Sequence, residues 1–165
     1  MSTIARKKSK PAKTRHAVLD LDSFIPAYIS QVGNRWSRGS SRLYLKSFGV
    51  GINEWRVMTI VAREPGVTAQ RASEILGSDK AAVARGIFSM EKHGLVKVEP
   101  SEMDRRQRHV FLTDQGWEVH DKILKVALAR EALLLDGLTK DEVGNLTSLL
   151  DRVRKNLVRL HLDEG

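Results

Sequence analysis

The chain has 165 residues, 41% hydrophobic and 29% charged, enough for one folded domain with a real core but short of a typical multi-domain enzyme. No apolar run reaches the roughly 18–20 residues that cross a bilayer, and the basic start leads into no apolar signal segment, so a soluble, cytoplasmic protein is expected. The absence of cysteine excludes disulfides, thiolate metal sites, cysteine nucleophiles and thiol redox sensing.

The net charge of +8 is concentrated at one end. Arg6, Lys7, Lys8, Lys10, Lys13 and Arg15 put six positive and no negative charges into residues 1–16, which leaves +2 for the rest. With Pro11 and no apolar periodicity, this block cannot bury enough surface to offset its ordering entropy, and residues 1–19 read as a disordered basic arm. Such an arm either tracks a polyanion such as DNA or serves as a solvated tail.

Asp22 and Ser23 offer N-caps for a first helix reaching Phe48, with Pro26 tolerated in its first turn and Gly49 beyond its end. Ile25, Ile29, Val32, Trp36 and Leu43 recur at helical spacing and form one apolar stripe. Gly33 and Gly39 weaken this helix by about 1 kcal/mol each relative to Ala, which points to a bend or to close approach of another backbone.

Asn53 is the expected cap of a second helix carrying Trp55, Val57, Met58, Ile60 and Val61, which Glu64-Pro65-Gly66 stops. Thr68 caps a short third helix to Leu76, Gly77-Ser78 turns the chain, and residues 79–93 form a fourth helix ended by Gly94. Two helices joined by a tight turn containing glycine are the signature of a helix-turn-helix. Residues 95–99 and 107–112 then alternate with period two around a loop at 100–106, which reads as a hairpin, or wing.

Thr113 caps a fifth helix carrying Trp117, His120, Ile123, Leu124, Ala127 and Leu128. Thr139-Lys140-Asp141-Glu142 is a capping box for a sixth, with Val143, Leu146, Leu149, Leu150, Val153, Leu157 and Leu160 on one face. One small winged-helix core offers too little surface for three long flanking helices, so homodimerisation through the first, fifth and sixth is expected. The predicted fold is mainly α: a winged helix-turn-helix at 51–113, an N-terminal dimerisation and effector helix at 20–50, and C-terminal dimerisation helices at 114–162.

On the fourth helix Val83, Ile87 and Met90 share a packing face. Ala81, Arg85, Phe88, Ser89 and Lys92 lie opposite, with Lys80 near the N-terminal end. Small Ala81, Ala82 and Ala84 permit close approach to base edges, and Arg85 can bond guanine or a phosphate. Asp104-Arg105-Arg106-Gln107-Arg108 gathers three guanidinium groups at the hairpin tip, a shape suited to a narrow, electronegative minor groove. Asp104 can pin one of them by a salt bridge. A solvated helix face and a charged turn are the plain alternatives; their adjacency favours nucleic acid.

The run from Thr68 through Val83-Ala84-Arg85, Met90-Glu91-Lys92-His93-Gly94-Leu95-Val96, Asp104-Arg105-Arg106 and Val110-Phe111-Leu112-Thr113-Asp114-Gln115-Gly116 resembles the multiple-antibiotic-resistance regulator (MarR) family. The likeness extends over about residues 20–162. It implies a triangular homodimer in which the fourth helix reads the major groove through Arg85 and the wing reaches the minor groove through Arg106. Two features depart from the family pattern: Ala82 and Ala84 replace the usual Ser or Thr, and Phe88 falls at a usually polar position, where packing against a neighbouring helix is expected. Operator sequence therefore does not carry over.

Arg35, Arg38, Arg42 and Lys46 form a basic stripe on the first helix beside the apolar face that includes Trp36. The resemblance implies a small-molecule effector between this helix and the DNA-binding lobe. An anionic effector, an aromatic carboxylate or its coenzyme A thioester, would pair with the stripe while Trp55, Arg56 and Trp117 complete the pocket. His16, His93, His109, His120 and His161 show neither HExxH nor paired metal spacing, and no P-loop, GxSxG or GxGxxG occurs. The expectation is therefore a transcriptional repressor with no catalytic residues, cofactor or metal, located with the nucleoid in the cytoplasm. Two alternatives stay open: an effector-independent architectural DNA-binding protein, and a winged-helix module that binds other proteins.

Overall fold

The computed structural model describes residues 16–101 and 107–162, with the side chains of 158–162 set aside. The basic arm up to residue 15 and the wing-tip residues Asp104, Arg105 and Arg106 lie outside the described residues. Eight elements follow in order: α1 (Ile25–Phe48), α2 (Ile52–Arg63), α3 (Ala69–Leu76), α4 (Lys80–Lys92), β1 (Val96–Pro100), β2 (Arg108–Leu112), α5 (Asp114–Leu134) and α6 (Lys140–Leu162). The chain divides between Gly39 and Ser40 into two compact units.

In the first unit, Asp20 organises a turn rather than leaving Asp22 or Ser23 to cap α1. Its carboxylate accepts from the Asp22 N–H at 3.1 Å and from the Ser23 hydroxyl at 2.9 Å. The Phe24 carbonyl then accepts the first helical bonds, from the N–H groups of Ala27 and Tyr28. The expected caps, Ser23 and Asp22, therefore stand one and two residues before the position whose carbonyl opens the helix. Outside its own helix backbone and chain neighbours, no described atom lies within 4 Å of where a Cβ on Gly33 would sit.

The second unit holds the core. Tyr44, Val50, Val57, Met58, Val61, Val67, Ala72, Val83, Met90, Val96, Val110 and Ile123 are buried together, drawn from α1, α2, α3, α4, the hairpin and α5. Each buried Val, Ile or Met side chain here is worth roughly 1.5–3 kcal/mol, so this junction of short elements carries the fold. Most helix starts follow the local signals. Thr68 accepts from the Arg71 N–H at 3.2 Å, Asp79 from the Ala82 N–H at 2.9 Å, and Thr113 from the Gly116 N–H at 3.0 Å. In the capping box, Glu142 accepts from the Thr139 N–H at 2.8 Å while its own N–H donates to the Thr139 hydroxyl at 3.3 Å. The second helix differs from expectation: Gly51, not Asn53, is its N-cap, with no side-chain bond, and Asn53 lies inside the first turn.

β1 and β2 pair antiparallel, with Val96 opposite Leu112, Val98 opposite Val110 and Pro100 opposite Arg108. Val67, in the α2–α3 connection, makes a further bridge to Val110 on the free edge of β2. The bonds are Gly66 N–H to Val110 O at 2.9 Å and Val110 N–H to Val67 O at 3.1 Å. His109 Nδ1 adds a bond to the Gly66 carbonyl at 2.6 Å, so the wing is tied to the entrance of the helix-turn-helix. Gly66 adopts φ +84°, a conformation that L side chains rarely take, which is how the chain reverses after α2.

Candidate nucleic-acid interface

The fourth helix presents two different faces, as its periodicity predicts. Val83, Gly86, Ile87 and Met90 are buried, while Lys80, Ala81, Ala84, Arg85, Phe88 and Lys92 are exposed and Ala82 and Ser89 are half-buried. The helix is pinned at both ends. Asp79 caps its start, and His93 Nδ1 donates to the Ser89 carbonyl at 2.7 Å at its finish. Its orientation is set by α2 and α3 behind it and by β1 beyond its end.

The exposed face is bordered by two crevices of contrasting chemistry. On the α2 side Arg85, Ala82 and Ser89 share a polar crevice with Asn53 and Glu54. On the wing side Phe88 and Ala84 share an apolar one with Ala69, Ile87, Val98 and Val110, edged by Glu91 and Arg108. A third, more polar groove is lined by Thr68, Gln70, Lys80, Gln107 and Arg108, where the starts of α3 and α4 meet β2. Lys80 and Arg108 thus share one groove on two elements, while Arg85 lines the crevice on the α2 side of the exposed face; basic groups of this kind dock against a phosphate backbone.

Phe88 does not pack against a neighbouring helix as expected: its ring is 69% exposed, whereas the adjacent Ile87 is 7% exposed. The core side of α4 is already filled by Val83, Ile87 and Met90, and Phe88 falls on the opposite side of the helix. Arg56 lines a small crevice with Asn53, Val57, Leu76, Ser78, Ala82 and Val83, at the turn of the helix-turn-helix.

Trp55 and Trp117 of the expected effector pocket belong to one aromatic cluster inside the second unit. Trp55 is 8% exposed, with its ring 6.0 Å from Tyr44 and 5.4 Å from His120. Trp117 meets His120 edge-on at 5.3 Å and is 41% exposed, so it forms the open end of the cluster. His120 Nδ1 also lies 3.0 Å from the Asp121 carboxylate. The sequence reading missed Ser40, which is wholly buried with a hydroxyl that has no hydrogen-bond partner among the described residues. A serine at one position of a long helix carries no sequence signal for that.

Of the basic stripe, Arg35 and Arg38 belong to the first unit and Arg42 and Lys46 to the second; all four are exposed, and Trp36 is half-buried. None of the four makes a salt bridge among the described residues. No acidic residue lies between positions 23 and 53 to pair with them locally.

Two capped helices across a tight turn, followed by a hairpin anchored to their entrance, define a winged helix-turn-helix, an architecture of transcriptional regulators. Comparison with known proteins narrows this class. The MarR family profile matches residues 48–107. The HTH-type transcriptional repressor IacR of Pseudomonas putida is 26% identical over 159 residues, spanning 92% of this chain and 95% of that protein. A MarR/EmrR family transcriptional regulator from Acinetobacter sp. ADP1 is 30% identical with a TM-score of 0.80, covering 86% of this chain and 99% of that one. A MarR family regulator from Listeria monocytogenes, solved with a 26-mer DNA, shares the fold at 21% identity and a TM-score of 0.79, over 87% and 96% of the two chains. This chain belongs to the MarR family of transcriptional regulators; it is a regulator and not an enzyme.

Among the described residues no helix is long and apolar enough to cross a membrane, and no group of three or more histidine or acidic side chains could hold a metal ion.

Proposed function

We propose that this protein is a dimeric DNA-binding repressor that a small anionic effector releases from a palindromic operator. The observation that carries the DNA reading is the exposed face of α4, which bears Lys80 and Arg85, with Arg108 of the wing sharing the groove at Lys80. In this reading Ala81, Ala82, Arg85 and Ser89 meet base edges in the major groove, Lys80 and Arg108 meet phosphates, and Arg105 and Arg106 enter the minor groove beside Asp104. The Listeria relative solved with DNA supports the choice of partner.

Dimerisation is supported by apolar surface that the chain leaves open. Ile25, Tyr28, Ile29 and Val32 on α1, Leu124 and Leu128 on α5, and Leu146, Leu149, Leu150, Val153 and Leu157 on α6 are all exposed. Monomeric proteins rarely leave stripes of this extent in water. Two copies would present two recognition helices to half-sites about one helical turn apart.

An anionic effector is the second half of the reading. Arg35 and Arg38, three residues apart in the first unit, repel each other, as do Arg42 and Lys46, four apart in the second, and each pair gains from an external anion. Within the second unit, the open edge of Trp117 is an apolar surface that the ring of an aromatic carboxylate would cover. Release of DNA requires only that the ligand prefer the conformation whose recognition helices no longer fit the half-sites.

The test is a mobility-shift titration on DNA from the gene's own upstream region, with random competitor and a salt series, followed by candidate carboxylates and acyl thioesters. Site-selective binding relieved by an anion supports the reading. Binding that random competitor abolishes indicates an architectural protein, and no affinity at low salt indicates a protein-interaction module.

A further inference from the structure

We infer that Phe88 is a specificity determinant that recognises the 5-methyl group of a pyrimidine, in practice thymine, in the operator. This rests on the reading of α4 as the major-groove helix. Phe88 follows Ala81, Ala84 and Arg85 at intervals of seven, four and three residues, so it stands on the same exposed face. Its ring contributes little to the fold, being 69% exposed while every core position around it is filled from the other side of the helix. Ala69 and Ala84 next to it carry only methyl groups and leave a crevice of about 200 Å³ open beside the ring.

The charges around the ring select the occupant. Arg85 and Lys92 on the same helix and Arg108 across the crevice suit a polyanion. Within the major groove of a polyanionic duplex, the apolar group displayed on a base edge is the methyl of thymine, which apolar side chains contact. Glu91 at the crevice edge strengthens the argument: a carboxylate repels phosphates but accepts from base-edge donors such as the cytosine amino group, so this edge is suited to bases.

The experiment compares full-length protein on its operator duplex with the same duplex in which every thymine is replaced by uracil, which removes the methyl and keeps the pairing. Wild type is expected to lose about fourfold in affinity for each contacted methyl, the factor that burial of one such group is worth. Phe88→Ala is expected to lose a similar factor on thymine DNA and nothing further on uracil DNA, with an unchanged melting temperature. Arg85→Ala is expected to weaken both duplexes and keep the difference between them. Equal wild-type affinity for the two duplexes, or full discrimination in Phe88→Ala, overturns the methyl contact while leaving DNA binding in place. Failure of wild type to bind either duplex overturns both readings.

Discussion

Gly116, in the first turn of α5, lies directly against the carbonyl of Leu95 at the start of the wing, with no space for a Cβ between them. The contact belongs to a local lock: the Thr113 N–H donates to Leu95 O at 3.1 Å, and the Thr113 hydroxyl donates to Gly94 O at 2.6 Å. The end of β2, the start of α5 and the turn before β1 are therefore one unit, and it fixes the hairpin relative to the recognition helix.

Gly116→Ala is accordingly expected to destabilise the protein by about 1–3 kcal/mol or more through overpacking against backbone that cannot yield. Gly144→Ala in α6 has open space at its Cβ position and is expected to stabilise by about 0.5–1 kcal/mol. Urea denaturation of the two variants checks the contrast; equal effects would show that the Leu95 contact is not what requires glycine.

For DNA affinity, Arg85→Ala is expected to cost about 1–3 kcal/mol and relax base preference, if its contact is bidentate. Arg108→Ala, on the strand beside Lys80, is expected to weaken all sequences alike and lower the salt slope by about one. Arg106→Ala is expected to weaken operator binding without changing the fold. Fluorescence anisotropy across a salt series, on operator and scrambled duplexes, separates these outcomes.

Replacing Leu150 on α6 with Glu places a charge in an apolar stripe that the chain itself leaves open. The expected result in light scattering is a monomer that retains its helical content, since α6 buries little of itself in the second unit's core. A dimer of unchanged stability would remove α6 from the interface.

Arg38→Ala with Arg42→Ala is expected to raise the anion concentration needed for release several-fold while sparing operator affinity. Calorimetry of the effector and gel shifts of the complex read the two effects separately. Full sensitivity in the double variant would remove the stripe from the anion site.

Acid is expected to loosen α6 first. The Thr139 backbone N–H, and then its hydroxyl, hold the Glu142 carboxyl below its ordinary pKa; Lys155 and then Arg154 do the same for Asp151. A carboxyl whose folded pKa is depressed contributes stability above its unfolded pKa and loses it as pH falls through the folded one. The loss therefore falls at the acid end of the carboxylate range. Helicity followed against pH should show a smaller acid-induced loss in Glu142→Gln.

The parts of this protein that the sequence determined by itself are those made by neighbours in the chain. The caps at Thr68, Asp79, Thr113 and Thr139 each close over three residues, and the two faces of α4 follow from a fixed helical period, so both were legible without a structure. Tertiary structure decided what depends on distant partners. His109 reaches Gly66 across 43 positions, and Arg56 lines a crevice at the turn of the helix-turn-helix. The open ring of Phe88 and the buried hydroxyl of Ser40 were equally beyond local reading, because periodicity tells which residues share a side of a helix but not what, if anything, stands opposite.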